Sequence, residues 1–240
     1  TTIKEWIAQC APRDAKIFRS PRSYNSQLGV ALSLLMMENW HEVAIIEAGI
    51  SQRGEMQRLH DMIRPDMVIL TSIGDAHAQG FASLEEKISE KLLLAEGAET
   101  IIYHSSYHAL AEAVKAKFGN RKLVDAATFT VSDMVDNASQ RNAEIVAATF
   151  AEMGYGEPDF WQLQPVAMRL ELKSGVENSI IIDDSYSADL NSLSIALDNL
   201  RSLASHRKTM LILSDILQSG DDIYTKVAQM VCEAGVDYFV

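Results

Sequence analysis

The run Val43-Ala44-Ile45-Ile46-Glu47-Ala48-Gly49-Ile50-Ser51 sets a carboxylate and a glycine turn directly after an apolar stretch. A short continuous apolar run closed by turn residues is the pattern of a strand covered on both faces. A second run, Asp66 to Ser72, closes in the same way and delivers Gly74, Asp75 and His77. A third, Ser179 to Ile182, ends in Asp183-Asp184-Ser185-Tyr186. Strands that carry polar groups to their C-terminal ends match the place where open α/β sheets put ligand sites. The expected fold class is therefore α/β, with a mostly parallel sheet and its chemistry along one edge.

Working outward from these strands, helical and extended patterns alternate along the chain. Ile3 to Gln9 is amphipathic, and Gln27 to Met37 reads as a mostly buried helix with Gly29 as its weak point. A helix from Gly54 stops before Pro65. Ser83 has the character of an N-cap, with Glu85 and Glu86 suiting the first turn of a helix that runs to about Glu96. The strand Thr100 to Tyr103, a helix from His108, the strand Lys122 to Ala126 and the helix Asn142 to Met153 follow. Gly154 to Gln164, with two glycines and Pro158, is the best linker candidate. Beyond it come the strands Val166 to Leu172 and Ser179 to Ile182, joined around Lys173-Ser174-Gly175. The helix Asn191 to Leu203, the strand Thr209 to Leu213, the helix Ile223 to Glu233 and a strand start at Asp237 complete the chain. Such alternation argues for parallel sheets covered by helices.

At 240 residues the chain is long enough for one large domain or two modest ones. The charge balance is 21 − 33 = −12. It argues against nucleic acid as a partner, because phosphate contacts need clustered Lys and Arg; Arg19 and Arg22 are the one local candidate for a basic cleft. No apolar run approaches the roughly 20 residues that span a bilayer, so membrane insertion is not expected. Cys10 and Cys232 stand in no metal-type spacing and read as reduced core thiols of a cytoplasmic protein.

Each candidate site residue has a structural reading beside its functional one. Glu47 is suited to Mg²⁺, which takes oxygen ligands, or is a strand-end acid in solvent. His77 is a metal ligand, a base, or a structural histidine; with Glu47 it also admits Mn²⁺ or Zn²⁺. Lys87 and Lys91 share a helix face. Lys87 reads as solvated, whereas Leu92-Leu93-Leu94 draws Lys91 toward the core, where an amine has a depressed pKa and becomes reactive. Of Asp183 and Asp184, one turns the chain and the other is free to meet a nucleotide or cation. Asp215 repeats the arrangement and is expected to cap. No complete P-loop, zinc motif, G-x-G-x-x-G or nucleophile elbow is present.

Four stretches together resemble a known family across nearly the whole chain. They are Arg19-Ser-Pro-Arg-Ser-Tyr-Asn-Ser-Gln-Leu-Gly29, Glu47-Ala-Gly-Ile-Ser51 with Gly54-Glu55-Met56, Thr71-Ser-Ile-Gly-Asp-Ala-His77, and Ile182-Asp-Asp-Ser-Tyr186. The family is the Mur ligases of peptidoglycan synthesis. The branch is the one that adds D-alanyl-D-alanine to UDP-N-acetylmuramoyl-tripeptide. Leu213-Ser-Asp-Ile-Leu-Gln-Ser-Gly220 resembles the version fused to an alanine racemase. The resemblance implies a central ATP-binding domain over residues 1–157 and part of a Rossmann-like C-terminal domain over 158–240. It implies that Thr1 closes a phosphate loop and ligates Mg²⁺, and that Glu47 and His77 ligate the same ion. Asn25 and Ser26 would face the muramoyl substrate, Lys91 would be carbamylated, and Asn142 would contact adenine. Arg169 and Asp184 would reach the phosphate and ribose end of the nucleotide.

The chain departs from the family pattern in three ways. The phosphate-loop glycines and lysine are absent, so ATP handling by this chain alone is expected to be impaired. The stretch from Phe129 to Asp136 is abridged, and Ser187 stands where Asn is common. The reaction implied is ATP-dependent amide ligation through an acyl phosphate, in a cytoplasmic protein. The chain itself would be monomeric and a racemase-fused parent dimeric. Two rival readings are a non-catalytic substrate-binding module and an unrelated P-loop nucleotidase. A folylpolyglutamate-type ligase fits less well, because Asp183-Asp-Ser-Tyr-Ser-Ala replaces its Asp-Gly-Ala-His-Asn-Pro.

Overall fold

The computed structural model of the chain describes residues 1–73, 80–132, 134, 136–186, 188–205, 207–216 and 223–240. His77, with Gly74 and Asp75, lies outside the described residues, as do Ser187 and the 217–220 part of the racemase-like stretch. The chain divides into two compact units, with the division at Gln164 and Pro165.

In the first unit the helices are α1 (Thr2–Cys10), α2 (Gln27–Leu35), α3 (Glu55–Ile63), α4 (Leu84–Lys91), α5 (His108–Phe118) and α6 (Asn137–Glu152). The strands are β1 (Ile17–Arg19), β2 (Val43–Ile45), β3 (Met67–Ile69), β4 (Thr100–Tyr103) and β5 (Lys122–Asp125). β1 pairs with β2 in parallel, Ile17 opposite Val43 and Arg19 opposite Ile45. β3, β4 and β5 form a second parallel sheet in that order, with Met67 opposite Thr100 and Thr100 opposite Lys122. The α/β class with parallel sheets is thus the one expected. Parallel strands need helical crossovers, and the helices bury the sheet: Val68, Ile101 and Tyr103 pack with Ile88 of α4 and with Leu110 and Val114 of α5. Ile50, in the segment after β2, packs with Val30, Met56 and Leu59 of α2 and α3.

Several elements differ from their sequence reading. β1 was not anticipated, and α2 is not mostly buried. Gly29, Val30 and Ser33 are buried and Leu34 packs against the core, while Leu28, Leu32 and Leu35 are exposed. Gly29 is required there by space, since a Cβ would come within 2.9 Å of the Tyr24 backbone. α4 stops at Lys91 and tightens into a 3₁₀ turn over Leu92–Ala95 instead of running on to Glu96. α6 starts five residues early because Asp136 caps it, accepting the N–H groups of Ala138 (2.8 Å) and Ser139 (2.9 Å). The linker candidate is fastened to α1: Gln164 N donates to Gln9 Oε1 at 2.6 Å, and Phe160 meets Trp6 edge-on at 6.2 Å.

The second unit holds β6 (Glu171–Ser174), β7 (Ile180–Asp183), α7 (Leu190–Ala204), β8 (Met210–Leu211), α8 (Ile223–Ala234) and β9 (Tyr238–Phe239). β6 and β7 form an antiparallel hairpin with Glu171 opposite Asp183. β8 and β9 run parallel. The extended run expected from Val166 is shorter because Met168 (φ 56°) and Leu170 (φ 51°) adopt left-handed backbone, which breaks pairing before Glu171. The core lies between α7 and α8, where Leu193, Leu197, Val227 and Val231 meet. Cys232 is free but exposed, so it is not a core thiol; Cys10 is free and partly buried. No helix among the described residues is long and apolar enough to cross a membrane.

Candidate functional site

Glu47 lies two residues beyond β2, at the N-terminus of α1. Its backbone N–H donates to Ser20 Oγ at 3.1 Å. Its carboxylate is surrounded by donors: Thr1 Oγ1 at 3.0 Å and Asn25 Nδ2 at 2.9 Å both reach Oε1. Thr1 occupies the N-cap position of α1 without a side-chain cap bond. Its hydroxyl is turned instead to Glu47 and to Ser23 Oγ, 3.0 Å away. Asn25 is fixed at both ends, since its carbonyl accepts the Gly49 N–H at 2.8 Å. Gly49 is a glycine for this reason: a Cβ would lie 3.0 Å from the Asn25 side-chain amide.

The second carboxylate oxygen, Glu47 Oε2, is buried and accepts no hydrogen bond. A cationic group stands near it, Lys4 Nζ at 3.7 Å. A buried carboxylate oxygen that keeps a free lone pair is a costly arrangement unless something else fills it. The chemistry of the donors says what would fit. Thr1 and Glu47 offer hard oxygens, which suit Mg²⁺. The threonine hydroxyl can also donate to Glu47 while giving a lone pair to a cation. Among the described residues no cluster of three His, Cys, Asp or Glu side chains assembles.

The other candidates are held by their own local partners. Ser26 spends its hydroxyl as the N-cap of α2, accepting the Gly29 N–H at 3.2 Å. Lys91 ends α4, where burial, reinforced by the nearby Lys87 charge, lowers its amine to about 8. Lys87 is buried, not solvated. Asn142 lies in the second turn of α6, the helix packed against α1. In the second unit Asp183 makes the turn, accepting from Ser185 N (3.1 Å) and Ser185 Oγ (2.6 Å) and pairing with Lys173. Asp184 accepts the Leu170 N–H at 3.2 Å. The Arg169 guanidinium lies 4.2 Å from the centre of the Tyr186 ring. Asp215 accepts the Tyr224 hydroxyl at 2.7 Å.

Sequence reading passed over Lys4, Ser20 and Ser23. The missed signal is that Lys4 sits between Ile3 and Trp6 on the inward side of α1, where a solvated lysine does not belong.

Residues 1–156 match the model of the Mur ligase middle domain. The chain is 26% identical over 250 residues to the UDP-N-acetylmuramoyl-tripeptide–D-alanyl-D-alanine ligase of Bacillus subtilis, covering 92% of this chain and 55% of that protein. It is 23% identical over 270 residues to the ligase of the same name from Synechocystis, covering 99% of this chain and 58% of that one. In fold it is similar to MurF from Acinetobacter baumannii, with TM-score 0.82 and 18% identity over 100% of this chain and 60% of that one. It is also similar to the Thermotoga maritima MurF ligase in complex with ADP, with TM-score 0.79 and 16% identity over 96% of this chain and 61% of that one. The chain thus spans little more than half the length of these relatives.

Proposed function

The chain belongs to the Mur ligase family through the middle domain at residues 1–156, and on that premise we propose that it is part of an ATP-dependent ligase. The ligase joins D-alanyl-D-alanine to UDP-N-acetylmuramoyl-tripeptide in the cytoplasm. The observation that carries this reading is the Thr1–Asn25–Glu47 cluster, with its buried carboxylate oxygen free of hydrogen bonds, at the head of α1.

In the reaction the terminal carboxylate of the tripeptide takes the γ-phosphoryl group of ATP and forms an acyl phosphate. The amine of D-alanyl-D-alanine attacks the acyl carbon, the amine loses its proton, and phosphate leaves. Glu47 and Thr1 would hold Mg²⁺, with His77 as the third ligand of this reading. Bound there, the ion supplies neutralisation of phosphoryl charge. The chain's own contribution is positional. Asn25 and Ser20 orient Glu47 through its side chain and its backbone, so the carboxylate needs little reorganisation on binding. Asn142 would contact adenine, and Arg169 and Asp184 the phosphate and ribose end. Asn25 and Ser26 would face the muramoyl substrate, with Ser26 acting through its backbone while its hydroxyl caps α2. A lysine amine lowered to about 8 has a sizeable neutral fraction near neutral pH, the form that adds CO₂, which supports carbamylation of Lys91. The Leu213 to Gly220 stretch supports a racemase-fused parent.

The test is single-turnover ligation by the full-length protein with ATP, Mg²⁺ and both substrates, followed by mass spectrometry of the peptide product. Glu47→Gln is expected to lower the rate by about 10²-fold or more, the usual scale for losing one electrostatic group at the reacting centre. No amide product from the unaltered protein, or ATP hydrolysis that ignores D-alanyl-D-alanine, would sink the ligase reading.

A further inference from the structure

We propose that Lys4 is a positioning residue whose buried ammonium clamps the Ser20–Asn25 loop and so holds the oxygen donors around Glu47. Lys4 is 5% exposed. A buried ammonium is tolerated only when its protons are matched by acceptors. Two of those acceptors belong to one loop: Lys4 Nζ donates to the Ser20 carbonyl at 2.6 Å and to the Arg22 carbonyl. Glu5 Oε1 stands 3.3 Å from the ammonium as a charge partner. Glu5 is itself held by Arg19 Nε at 3.0 Å. The ammonium is therefore fixed from both sides, and it reaches Glu47 Oε2, 3.7 Å away, through its field and not through a hydrogen bond.

The clamped loop carries the groups that define the site. Ser20 Oγ accepts the Glu47 N–H, Ser23 meets Thr1, and Asn25 donates to Glu47 Oε1. Between them Arg22 adopts φ 47°, a left-handed conformation that costs free energy for any residue with a Cβ. The carbonyl of that strained residue is one of the two that Lys4 binds. Without the ammonium, the buried Ser20 carbonyl loses its Lys4 partner and the Arg22 turn loses a bond that offsets its strain. The loop would then relax, and Asn25 and Ser20 would lose their register on Glu47. The cation-binding part of this inference rests on the proposed Glu47 site; the clamp itself does not.

The experiment compares the full chain with Lys4→Met, which keeps length and removes the charge, and Lys4→Arg, which restores donors to both carbonyls. Two readouts are taken: amide hydrogen exchange over residues 20–25, and binding of Mn²⁺ alone by calorimetry. In Lys4→Met, exchange in the loop should quicken and Mn²⁺ affinity should fall, each by about tenfold, as expected for losing charge-assisted bonds. Lys4→Arg should recover most of both. If Lys4→Met does not fold, Lys4→Gln, with one donor left, should give the same changes at smaller size. Unchanged loop exchange in a folded variant overturns the clamp. Tighter Mn²⁺ binding in Lys4→Met overturns it as well, because the ammonium would then act only as a competing charge. Failure of the unaltered chain to bind Mn²⁺ would instead remove the metal reading of Glu47, leaving the clamp to be decided by exchange.

Discussion

Asp184 lies just beyond β7 with one oxygen accepting the Leu170 N–H, and burial pushes its carboxyl up to about 6 against the opposing effects of that bond and of Arg169. Its neighbour Asp183 is held at about 2, chiefly by Lys173 and Ser185. Adjacent identical residues thus take opposite roles, one turning the chain and the other kept partly neutral. The raised group has a consequence for stability. Between the ordinary aspartate value and about 6, the folded chain holds a proton that the unfolded chain has released. Stability of the second unit should therefore fall as pH rises through that window and level off above it. Asp184→Asn keeps an acceptor for Leu170 and removes the titration. It should stabilise this unit at pH 7.5 by about 1 kcal/mol, a figure discounted because the carboxyl is partly solvated, and should have little effect near pH 4. Hydrogen exchange of peptides from β6 and β7 at the two pH values checks this; equal protection of both proteins at pH 7.5 would count against it. Glu47 was legible at this scale because strand-end position and residue type coincide. Lys4 was only half legible: its place on the inward face of α1 could be read from Ile3, Trp6 and Ile7, but the carbonyls that hold its ammonium come from a loop that only the tertiary fold brings to it.

At the scale of the element, the ends of helices decide where side chains land. Asp136 accepts two backbone N–H groups and the Ser139 hydroxyl at 2.7 Å, fixing the first turn of α6 and hence the height of Asn142 along it. Asp136→Ala should cost about 1–2 kcal/mol, read from urea denaturation, and should fray the turn that precedes Asn142. A loss below a few tenths of a kcal/mol would show that the cap is dispensable. Ser83 caps α4 in the same manner, accepting the Glu86 N–H at 3.2 Å, and this cap was readable from Ser83 and its two following glutamates. The start of α6 was missed because Asn137 and Ser139 are poor helix formers, and the Asp136 cap makes the turn hold. The mostly buried reading of α2 failed for a different reason. Its leucines recur at Leu28, Leu32 and Leu35, which is a helical face, but periodicity identifies a face without saying whether anything covers it. Strand ends were the least legible, as left-handed backbone at Met168 and Leu170 leaves no mark in residue type.

Across the whole molecule, Gly154 to Gln164 has the composition of a linker, yet its second half is tied to α1. Asp159 caps a short turn over Phe160–Gln162 by accepting the Trp161 N–H at 3.1 Å. Phe160 packs edge-on against Trp6, and Gln164 and Gln9 exchange hydrogen bonds at 2.6 and 3.4 Å. Composition records the glycines and the proline but not the partner surface, which is assembled from the other end of the chain. The physical division therefore comes at Pro165, where Pro165, Ala167 and Met168 are exposed ahead of the hairpin. Proteolysis needs several residues to leave their hydrogen bonds together, so cleavage should track local stability and not composition. Limited digestion should cut first between residues 165 and 170, leaving a resistant piece that ends beyond Gln164. In Trp6→Ala the Phe160 contact is lost, and early cleavage should extend back into 155–164. Mass spectrometry of the early products distinguishes the two patterns. First cuts at Gly154 to Glu157 in the unaltered chain would show that the strap adds no protection, and that the glycine-rich half alone sets the boundary.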